Sequence, residues 1–277
     1  MKILENDSNP SVYFKNIKEK GFKISLIPTM GSIHEGHLSL IHKSKKFGFY
    51  TIVTIFVNPT QFDDTKDYDQ YPRNRDVDIN SLKLAGVDLL YFPLVKELYP
   101  EAIKSEKTIY EFRNILCDKF REGHFDGVTT VVKSLFNLIC PDHVFFGEKD
   151  YQQLKLIKKI IEKDKLNISI YACKSIRMKN QMSFSSRYSN FISSQKIIFD
   201  QAADKILKGV FSLKKNINNN TIQKIKDDLK ELNINEIDYL EVRDEINLLL
   251  THENKNARLF VAFYIDNIRI IDNFILY

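Results

Sequence analysis

Short apolar runs alternate with helical patterns through the first two thirds of the chain, and this alternation narrows the possible folds more than any other feature. The apolar runs are rich in β-branched and aromatic residues and lie at Ile24–Pro28, Thr51–Val57, Val87–Pro93, Asp142–Phe146 and Ile168–Ala172. Segments with the period of an amphipathic helix lie between them, at Leu38–Phe47, Asp76–Ala85, Thr129–Ile139 and Tyr151–Lys163. Strands that are apolar on both faces and joined by helices are typical of a parallel sheet covered by helices. The sequence therefore predicts an α/β fold with a doubly wound, Rossmann-like parallel sheet.

The pattern changes after about Ser175, where a smaller α+β domain is predicted. This part of the chain contains helical segments and strand-like runs at Ser194–Leu213, Thr221–Leu232, Asp238–Arg243, Arg258–Asp266 and Ile268–Asp272. The pair Asp266-Asn267 between the last two runs is typical of a tight hairpin turn. We expect one domain over residues 1–176 and a second over residues 177–277.

Two histidines, His34 and His37, follow the first of the apolar runs. The chain passes from Pro28 through Gly31 to these histidines and then into a helical pattern. A spacing of three residues places both imidazoles on one face of the first helical turn. Unpaired N–H groups and the positive end of the helix dipole favour an anion there, and the imidazoles can donate hydrogen bonds to it. We therefore predict chemistry at a nucleotide phosphate, where charge builds during a transfer reaction.

Other interpretations of the same histidines are a zinc site, a surface helix and a dinucleotide-binding turn. A zinc site of the His-Glu-x-x-His type needs a spacing of four residues, whereas His34 and His37 are three apart. One incidental histidine at a helix start is common, but two around Gly36 directly after a strand are less so. Gly31 and Gly36 do not make the Gly-x-Gly-x-x-Gly pattern of a dinucleotide-binding turn.

The composition is that of an ordinary globular protein. Hydrophobic residues make up 43% of the 277 residues and charged residues 28%, and the net charge of +5 is spread along the chain. The sequence has no basic stripe for nucleic acid, no apolar signal core and no membrane-spanning run. The spacing of Cys117, Cys140 and Cys173 argues against a disulfide framework or a metal knuckle. We expect a cytoplasmic protein that binds neither nucleic acid nor membranes.

Polar residues follow several of the predicted strands, where a doubly wound sheet forms its binding crevice. His34 and His37 follow one strand, Asn58–Phe62 a second and Gly147–Asp150 a third. Near the domain junction, the hydroxyls beside Arg187 are suited either to phosphate oxygens or to a capped loop before a helix. Arg121 and His124 are interpreted either as closing over the crevice or as part of an exposed loop.

Six segments of the chain form one specific pattern: Pro28–Leu40, Phe56–Phe62, Tyr71–Arg73, Gly123–Val128, Phe146–Leu154 and Ser185–Arg187. Their order and spacing, from about Ile24 to Asp272, resemble the pantothenate synthetase (pantoate–β-alanine ligase) family. That family belongs to the nucleotidyltransferase-like group with a His-x-x-His signature, which is related in fold to class I aminoacyl-tRNA synthetases. The resemblance implies a two-step reaction. ATP and pantoate give pantoyl adenylate and pyrophosphate, and β-alanine then displaces AMP to form pantothenate.

The resemblance also implies the residues of the site. The catalytic residues would be His34, His37, Lys149 and Arg187. Of these, His37 would be the proton donor, and the cations Lys149 and Arg187 would face the leaving pyrophosphate. The ATP site would comprise Met30, Gly31, Ser32, Ile33, His34, Glu35, Gly36, His37, Gly147, Glu148, Lys149, Asp150, Ile176, Phe184, Ser185, Ser186 and Arg187. Residues 1–176 would bind ATP and pantoate, and residues 177–277 would form a lid.

Further expectations concern the second substrate, the metal and the assembly. Gln61 and Gln153 are predicted to bind pantoate and β-alanine, because an uncharged amide holds hydroxyls and a carboxylate without neutralising the nucleophile. By resemblance, Mg²⁺ bridges the phosphates, with Asp78 as a candidate ligand, and the protein is a homodimer.

The chain departs from the family pattern just before Ser185. The family usually has Lys-Asp-Gly-Leu-Ala, where this chain has Lys179-Asn180-Gln181-Met182-Ser183, and Tyr188 follows Arg187. Because a residue other than glycine tolerates fewer backbone angles, we expect retained activity with altered dynamics of the ATP loop.

Two other functions fit parts of the pattern. Another nucleotidyltransferase of the same group would act on a phosphorylated substrate and would need a basic pocket in place of Gln61 and Gln153. A tRNA-linked binding module would require a clustered basic face and a larger appended domain.

Overall fold

The computed structural model describes residues 1–5, 9–62 and 65–277, which divide into two compact units. The first unit comprises Met1–Arg113 and Cys117–Lys174, and the second comprises Asn114–Leu116 and Ser175–Tyr277. The roles predicted for residues 1–176 and 177–277 stay predictions.

The first unit contains a six-stranded sheet in which all neighbouring strands are parallel. Its strands are β1 (Lys2–Glu5), β2 (Ile24–Thr29), β3 (Tyr50–Ile55), β4 (Leu89–Phe92), β5 (His143–Gly147) and β6 (Ser169–Cys173). The strand order is β1-β4-β3-β2-β5-β6, so the chain runs outward from β2 in both directions. The predicted doubly wound fold is therefore confirmed, and the order reverses between β2 and β5.

Burial explains why the central strands carry no polar alternation. Ile24, Leu26 and Ile27 of β2 and Ile52 and Val53 of β3 are all fully buried, because helices cover the sheet. The helices of this region are α1 (Pro10–Glu19), α2 (Glu35–Lys46), α3 (Thr65–Asp69), α4 (Arg75–Leu84), α5 (Val95–Leu98), α6 (Leu116–Phe120), α7 (His124–Ile139) and α8 (Tyr151–Lys163).

The sequence reasoning missed the first two elements, β1 and α1. Strand β1 is a short edge strand with the burial pattern exposed–exposed–buried–exposed, so its periodicity is weak, and it pairs only with β4. A signal for α1 was available: Asn9 precedes the helix and Pro10 stands in its first turn, a common arrangement at helix starts.

The second unit contains the predicted helices and hairpin around its own core. Helices α9 (Ser193–Lys215) and α10 (Asn219–Lys230) accompany a three-stranded antiparallel sheet of β7 (Ile237–Asp244), β8 (Ala257–Ile265) and β9 (Ile268–Ile275). The turn between β8 and β9 contains Asp266 with a φ of 51°, as the Asp-Asn pair predicted. The core includes Ala202, Ile206, Leu229, Leu259 and Phe263. Throughout the described parts of the chain, no helix combines the length and apolarity needed to span a membrane.

Candidate active site

The candidate site lies at the carboxyl ends of β2, β3 and β5. Strand β2 leads into the His34 and His37 segment, β3 leads into Asn58, and β5 leads into Gly147. The strand order reverses between β2 and β5, and a doubly wound sheet binds its ligands at such a switch point. The parallel sheet thus brings together three of the segments that the sequence analysis singled out.

A tight turn connects β2 to α2 and is held by a buried carboxylate. Gly31 has a φ of +85°, and a side chain there would place its Cβ 3.0 Å from Asp78 Oδ2. The Asp78 carboxylate accepts hydrogen bonds from the Ser32 N–H at 2.8 Å and the Ile33 N–H at 2.7 Å. Gly31 is therefore required for its backbone angle and for the close approach of Asp78.

The two histidines cap α2 reciprocally. His34 Nδ1 accepts from the Gly36 N–H at 3.1 Å, and His37 Nδ1 accepts from the His34 N–H at 3.4 Å. Their rings stack, with centroids 4.0 Å apart and an angle of 21° between the planes. A Cβ on Gly36 would lie 2.8 Å from His34 Cε1, so this glycine leaves room for the His34 ring.

The surroundings of the histidines keep both rings neutral. Burial, together with the charge of Lys149, lowers the pKa of His34 from 6.5 to about 4. Burial, His34 and Lys149 lower the pKa of His37 well below its usual value. Because a neutral imidazole accepts through only one nitrogen and both Nδ1 atoms accept backbone N–H groups, the partners assign the proton of each ring to Nε2. The result is a pair of neutral N–H donors at the start of α2.

Lys149 supplies the positive charge beside this pair. It lies in a short 3₁₀ helix, Glu148–Asp150, that follows β5 directly. Its charge contributes to the lowered pKa of both histidines. Of the neighbouring candidates, Glu148 is half-buried and Asp150 is exposed.

Asp78 is placed differently from a typical magnesium ligand. It is 3% exposed, and each of its carboxylate oxygens accepts a backbone N–H of the turn. Burial raises its pKa, and the two N–H groups offset part of that effect. Among the described residues, no group of three or more His, Cys, Asp or Glu side chains is arranged to hold a metal ion. The contacts support a positioning role for Asp78, and its role as a metal ligand stays a prediction.

We expect Asp78→Asn to lower both stability and activity. An amide offers one oxygen where two N–H groups need acceptors, so one buried donor loses its partner, at a cost of about 1–3 kcal/mol in the free energy of unfolding. Chemical denaturation and a steady-state turnover assay measure the two effects. Asp76→Asn, on the exposed side of the same helix, is the control. A fully stable Asp78→Asn protein would contradict the anchoring role.

Gln61 lies in a buried polar network at the end of β3. Its Nε2 donates to the sulfur of Met30, and its Oε1 accepts from Asn58 Nδ2 at 3.2 Å. Asn58 Oδ1 in turn accepts from the Tyr99 hydroxyl at 2.6 Å and from the Thr60 hydroxyl at 3.1 Å. The orientation of the Gln61 amide is therefore set by its neighbours.

Arg121 and His124 are not part of an exposed loop: both contact the backbone of Gln61. The Gln61 carbonyl oxygen lies 2.6 Å from His124 Nδ1 and accepts from Arg121 Nη2 at 3.3 Å. The second Arg121 nitrogen, Nη1, lies 3.2 Å from His124 Nε2. A carbonyl only accepts and a guanidinium only donates, so His124 carries its proton on Nδ1. The pair therefore holds the backbone of Gln61, whose side chain was predicted to bind substrate.

Gly127 allows α7 to approach the same segment. A Cβ at this position would lie 2.3 Å from the Thr60 carbonyl oxygen and 2.7 Å from the Gln61 nitrogen. The Gly127 carbonyl also accepts from Asn58 Nδ2 at 3.1 Å. Only glycine fits at this position of α7, where the helix packs against the 3₁₀ helix Pro59–Gln61.

The two neighbouring glutamines of α8 differ in their surroundings. Gln153, the predicted substrate ligand, is half-buried. Gln152 is 4% exposed, accepts from the Cys117 N–H at 3.0 Å and donates to the Phe112 carbonyl at 2.8 Å. Gln152 therefore connects α8 to Phe112 and to the first turn of α6, a role that the sequence analysis did not predict.

The remaining candidates lie in the second unit, in a loop that precedes α9. Ile176 is exposed, and its carbonyl accepts from the Phe184 N–H at 3.3 Å. Ser185 caps a short 3₁₀ helix, Ser186–Asn190, by accepting from the Arg187 N–H at 3.3 Å. The predicted ATP-binding residues thus form two groups, one in each unit.

Comparison with known proteins gives matches over nearly the whole chain. The family model for pantoate–β-alanine ligase matches residues 2–275. The pantothenate synthetases of Flavobacterium psychrophilum and Clostridium acetobutylicum are 35% and 38% identical to the chain, and each alignment covers 99% of both proteins. The chain belongs to the pantoate–β-alanine ligase family. The resemblance recognised from the motifs is therefore confirmed, and the chain is a ligase that forms pantothenate.

Solved structures of this ligase family share the fold. The pantoate–β-alanine ligase of Francisella tularensis, complexed with β,γ-ATP and β-alanine, superposes with a TM-score of 0.85 at 33% identity, covering 100% of this chain and 98% of that one. Pantothenate synthetase from Thermus thermophilus gives a TM-score of 0.87 at 27% identity, covering 100% of both chains.

The departure from the family pattern before Ser185 leaves a tight turn in place. Gln181, where the resemblance predicts glycine, adopts a left-handed φ of 63°. Asn180 Oδ1 accepts from the Met182 N–H at 3.1 Å, as an aspartate oxygen can in the same kind of turn. Because Gln181 has a Cβ, this left-handed conformation costs roughly 1–2 kcal/mol in conformational free energy.

Proposed function

We propose that this ligase activates pantoate with ATP, through a pantoyl adenylate, before β-alanine enters. The observation that carries the proposal is the stacked pair His34 and His37, two neutral N–H donors beside Lys149 at the switch point of the sheet. Such donors favour charge that develops on phosphate oxygens during the transfer. The Francisella tularensis relative complexed with β,γ-ATP and β-alanine supports the choice of substrates.

The nucleophile in the first step is the carboxylate of pantoate. One oxygen of that carboxylate bonds to the α-phosphorus of ATP, and the bond from this phosphorus to the pyrophosphate oxygen breaks. Lys149 and Arg187 carry charge that suits the leaving pyrophosphate, because neither cation has to transfer a proton. His37 is neutral, so we propose that it acts as a hydrogen-bond donor, through Nε2–H, to the phosphate oxygens. In the second step the neutral amine of β-alanine attacks the acyl carbon, the bond from this carbon to the phosphate oxygen of AMP breaks, and the amine loses a proton to water as AMP leaves.

Gln61 suits the binding of pantoate because its amide is buried and already oriented. Asn58 and Met30 engage one acceptor position and one N–H of this amide. An amide carries two of each, so with respect to the described residues one acceptor position and one N–H remain for hydroxyl and carboxylate groups of the substrate. Gln153 is the second proposed contact, for pantoate or β-alanine.

Mg²⁺ is proposed to enter with ATP. An Mg²⁺ ion usually keeps several waters and is held mainly by substrate phosphates, so the proposal requires no group of three or more protein carboxylates or imidazoles. A homodimer is proposed from the family resemblance, and the cytoplasmic location stays a prediction of the sequence analysis.

Isotope exchange tests the proposed order of steps. Because the adenylate forms before the amine arrives, labelled pyrophosphate should enter ATP when pantoate and Mg²⁺ are present and β-alanine is absent. Lys149→Ala and Arg187→Ala should both slow this exchange, since each removes a cation beside the leaving group. Lys158→Ala, on the exposed side of α8, is the control and should exchange like the wild type.

The same assay separates the competing reactions. Exchange that requires β-alanine would point to a concerted reaction and overturn the two-step proposal. Exchange without pantoate would favour a nucleotidyltransferase that acts on another substrate. Loss of exchange when a chelator removes Mg²⁺ is expected because ATP then lacks its bridging ion.

A further inference from the structure

The loop that carries Ser185, Ser186 and Arg187 begins as a small hairpin. Arg177 and Ser183 form an antiparallel bridge at its base. The Met178 N–H donates to the Met182 carbonyl at 2.8 Å, which closes the hairpin near its tip. The chain reaches Ser185 two positions after the bridge, so the base of the hairpin determines where the Ser185 loop starts.

A buried carboxylate of the neighbouring sheet, Asp272 of β9, holds this base. The side chain of Asp272 is 1% exposed. Its Oδ2 accepts from the Ser183 N–H at 2.7 Å and from Arg177 Nη1 at 3.2 Å. Its Oδ1 accepts from the Ser183 hydroxyl at 2.7 Å and from the Asn273 N–H at 2.7 Å. Four donors thus surround one carboxylate, which uses all the acceptor positions that it has.

Arg177 connects the hairpin to the same strand a second time. It donates to the Gln181 carbonyl at 2.7 Å and to the Asn273 carbonyl at 2.7 Å. Its guanidinium also lies over the Phe274 ring, 4.6 Å from the centroid. Both the base and the turn of the hairpin are therefore tied to β9 through directional contacts.

We propose that Asp272 is a positioning residue for the ATP site: through Ser183 and Arg177 it fixes the loop that presents Ser185, Ser186 and Arg187 to the nucleotide. This inference rests on the proposed function. Apolar packing alone leaves a loop several arrangements, whereas a fully satisfied buried polar network allows one. The loop beyond the hairpin continues this order, because Phe184 bonds back to Ile176 and the Tyr188 N–H donates to the Ser185 carbonyl at 3.0 Å.

Two variants of different severity test the proposal in the full-length enzyme. Ser183→Ala removes one hydroxyl from the network and keeps the backbone contact. Asp272→Asn replaces the carboxylate that serves four donors. We expect KM for ATP to rise by about tenfold or more in Asp272→Asn and by a smaller factor in Ser183→Ala, with KM for pantoate unchanged.

A second ion pair of the same sheet supplies the control. Asp238 of β7 accepts from Arg269 Nε at 2.8 Å, and these side chains are 9% and 11% exposed. Asp238→Asn removes a buried charge without touching the hairpin. It should lower the melting temperature while leaving KM for ATP as in the wild type, so that loss of stability by itself does not imitate the expected result.

Hydrogen exchange of the peptide that spans residues 183–190 reports the position of the loop independently of catalysis. Faster exchange there in Asp272→Asn and Ser183→Ala, together with a raised KM for ATP, supports the proposal. Unchanged exchange, or faster exchange with an unchanged KM for ATP, overturns it. If Asp272→Asn does not fold, Ser183→Ala decides. Pyrophosphate exchange by the wild type tests the underlying reaction separately.

Discussion

Replacing His37 by alanine is expected to lower the rate of pyrophosphate release from ATP and pantoate by about 100-fold or more. The variant loses a neutral Nε2–H donor from a pair that stacks at 4.0 Å beside Lys149. Such a donor contributes most when charge develops on the phosphate oxygens, so the rate constant should fall more than the affinity for ATP. Single-turnover kinetics with saturating ATP and pantoate measure this effect.

A histidine further along α2 provides the matched control. His42 is exposed, and His42→Ala should turn over like the wild type. His37 also accepts from the His34 N–H, so the variant loses part of its helix cap, at a cost of about 1 kcal/mol. A denaturation curve separates this loss from the kinetic one. Wild-type turnover by folded His37→Ala would remove the residue from the chemistry.

The second large effect is expected for Gly127→Ala, a change of one methyl group outside the predicted ligand set. Its Cβ would lie 2.3 Å from the Thr60 carbonyl oxygen, and because the obstacle is backbone, the 3₁₀ helix Pro59–Gln61 must move. Overpacking of this kind costs about 1–3 kcal/mol in the free energy of unfolding. A displacement of about 1 Å at Gln61 should lower kcat/KM for pantoate by roughly 100-fold.

A variant of a second crowded glycine, Gly209 in the second unit, is the control that separates the effect of overpacking on stability from the effect on substrate binding. A Cβ on Gly209 would lie 2.2 Å from Ile225 Cδ1, so Gly209→Ala should also lower stability. Its kcat/KM for pantoate should stay at the wild-type value. If Gly127→Ala retains wild-type kcat/KM for pantoate, the placement of Gln61 in the pantoate site is wrong.

Several parts of the fold were predictable because their signals are local. The strands from β2 to β6 stand out as apolar runs, and the hairpin of β8 and β9 carries its own turn residues. Strand β1 was missed since an exposed edge strand of four residues has too few buried positions to set a period. Its place in the sheet depends on pairing with β4, far away in the chain.

The candidate site was predictable in its reactive groups and not in the groups that hold them. His34, His37, Lys149 and Gln61 follow strand ends, and a parallel sheet brings such ends to one edge. The partners of these residues are separated from them by long stretches of chain. Asp78 reaches the turn at Ser32, and Arg121 with His124 reaches Gln61.

The sequence by itself therefore determined the α/β class, the turn before α2 that carries His34 and His37, and the membership of the pantoate–β-alanine ligase family, because strand period, helix start signals and motif spacing can be recognised without knowledge of tertiary contacts. Only the tertiary structure decided that Asp78 holds the turn, that Gly127 makes room for Thr60 and that Asp272 holds Ser183. A carboxylate or a glycine has the same appearance in a sequence whatever it contacts. Its role depends on which distant backbone groups folding brings within about 3 Å, the length of a hydrogen bond.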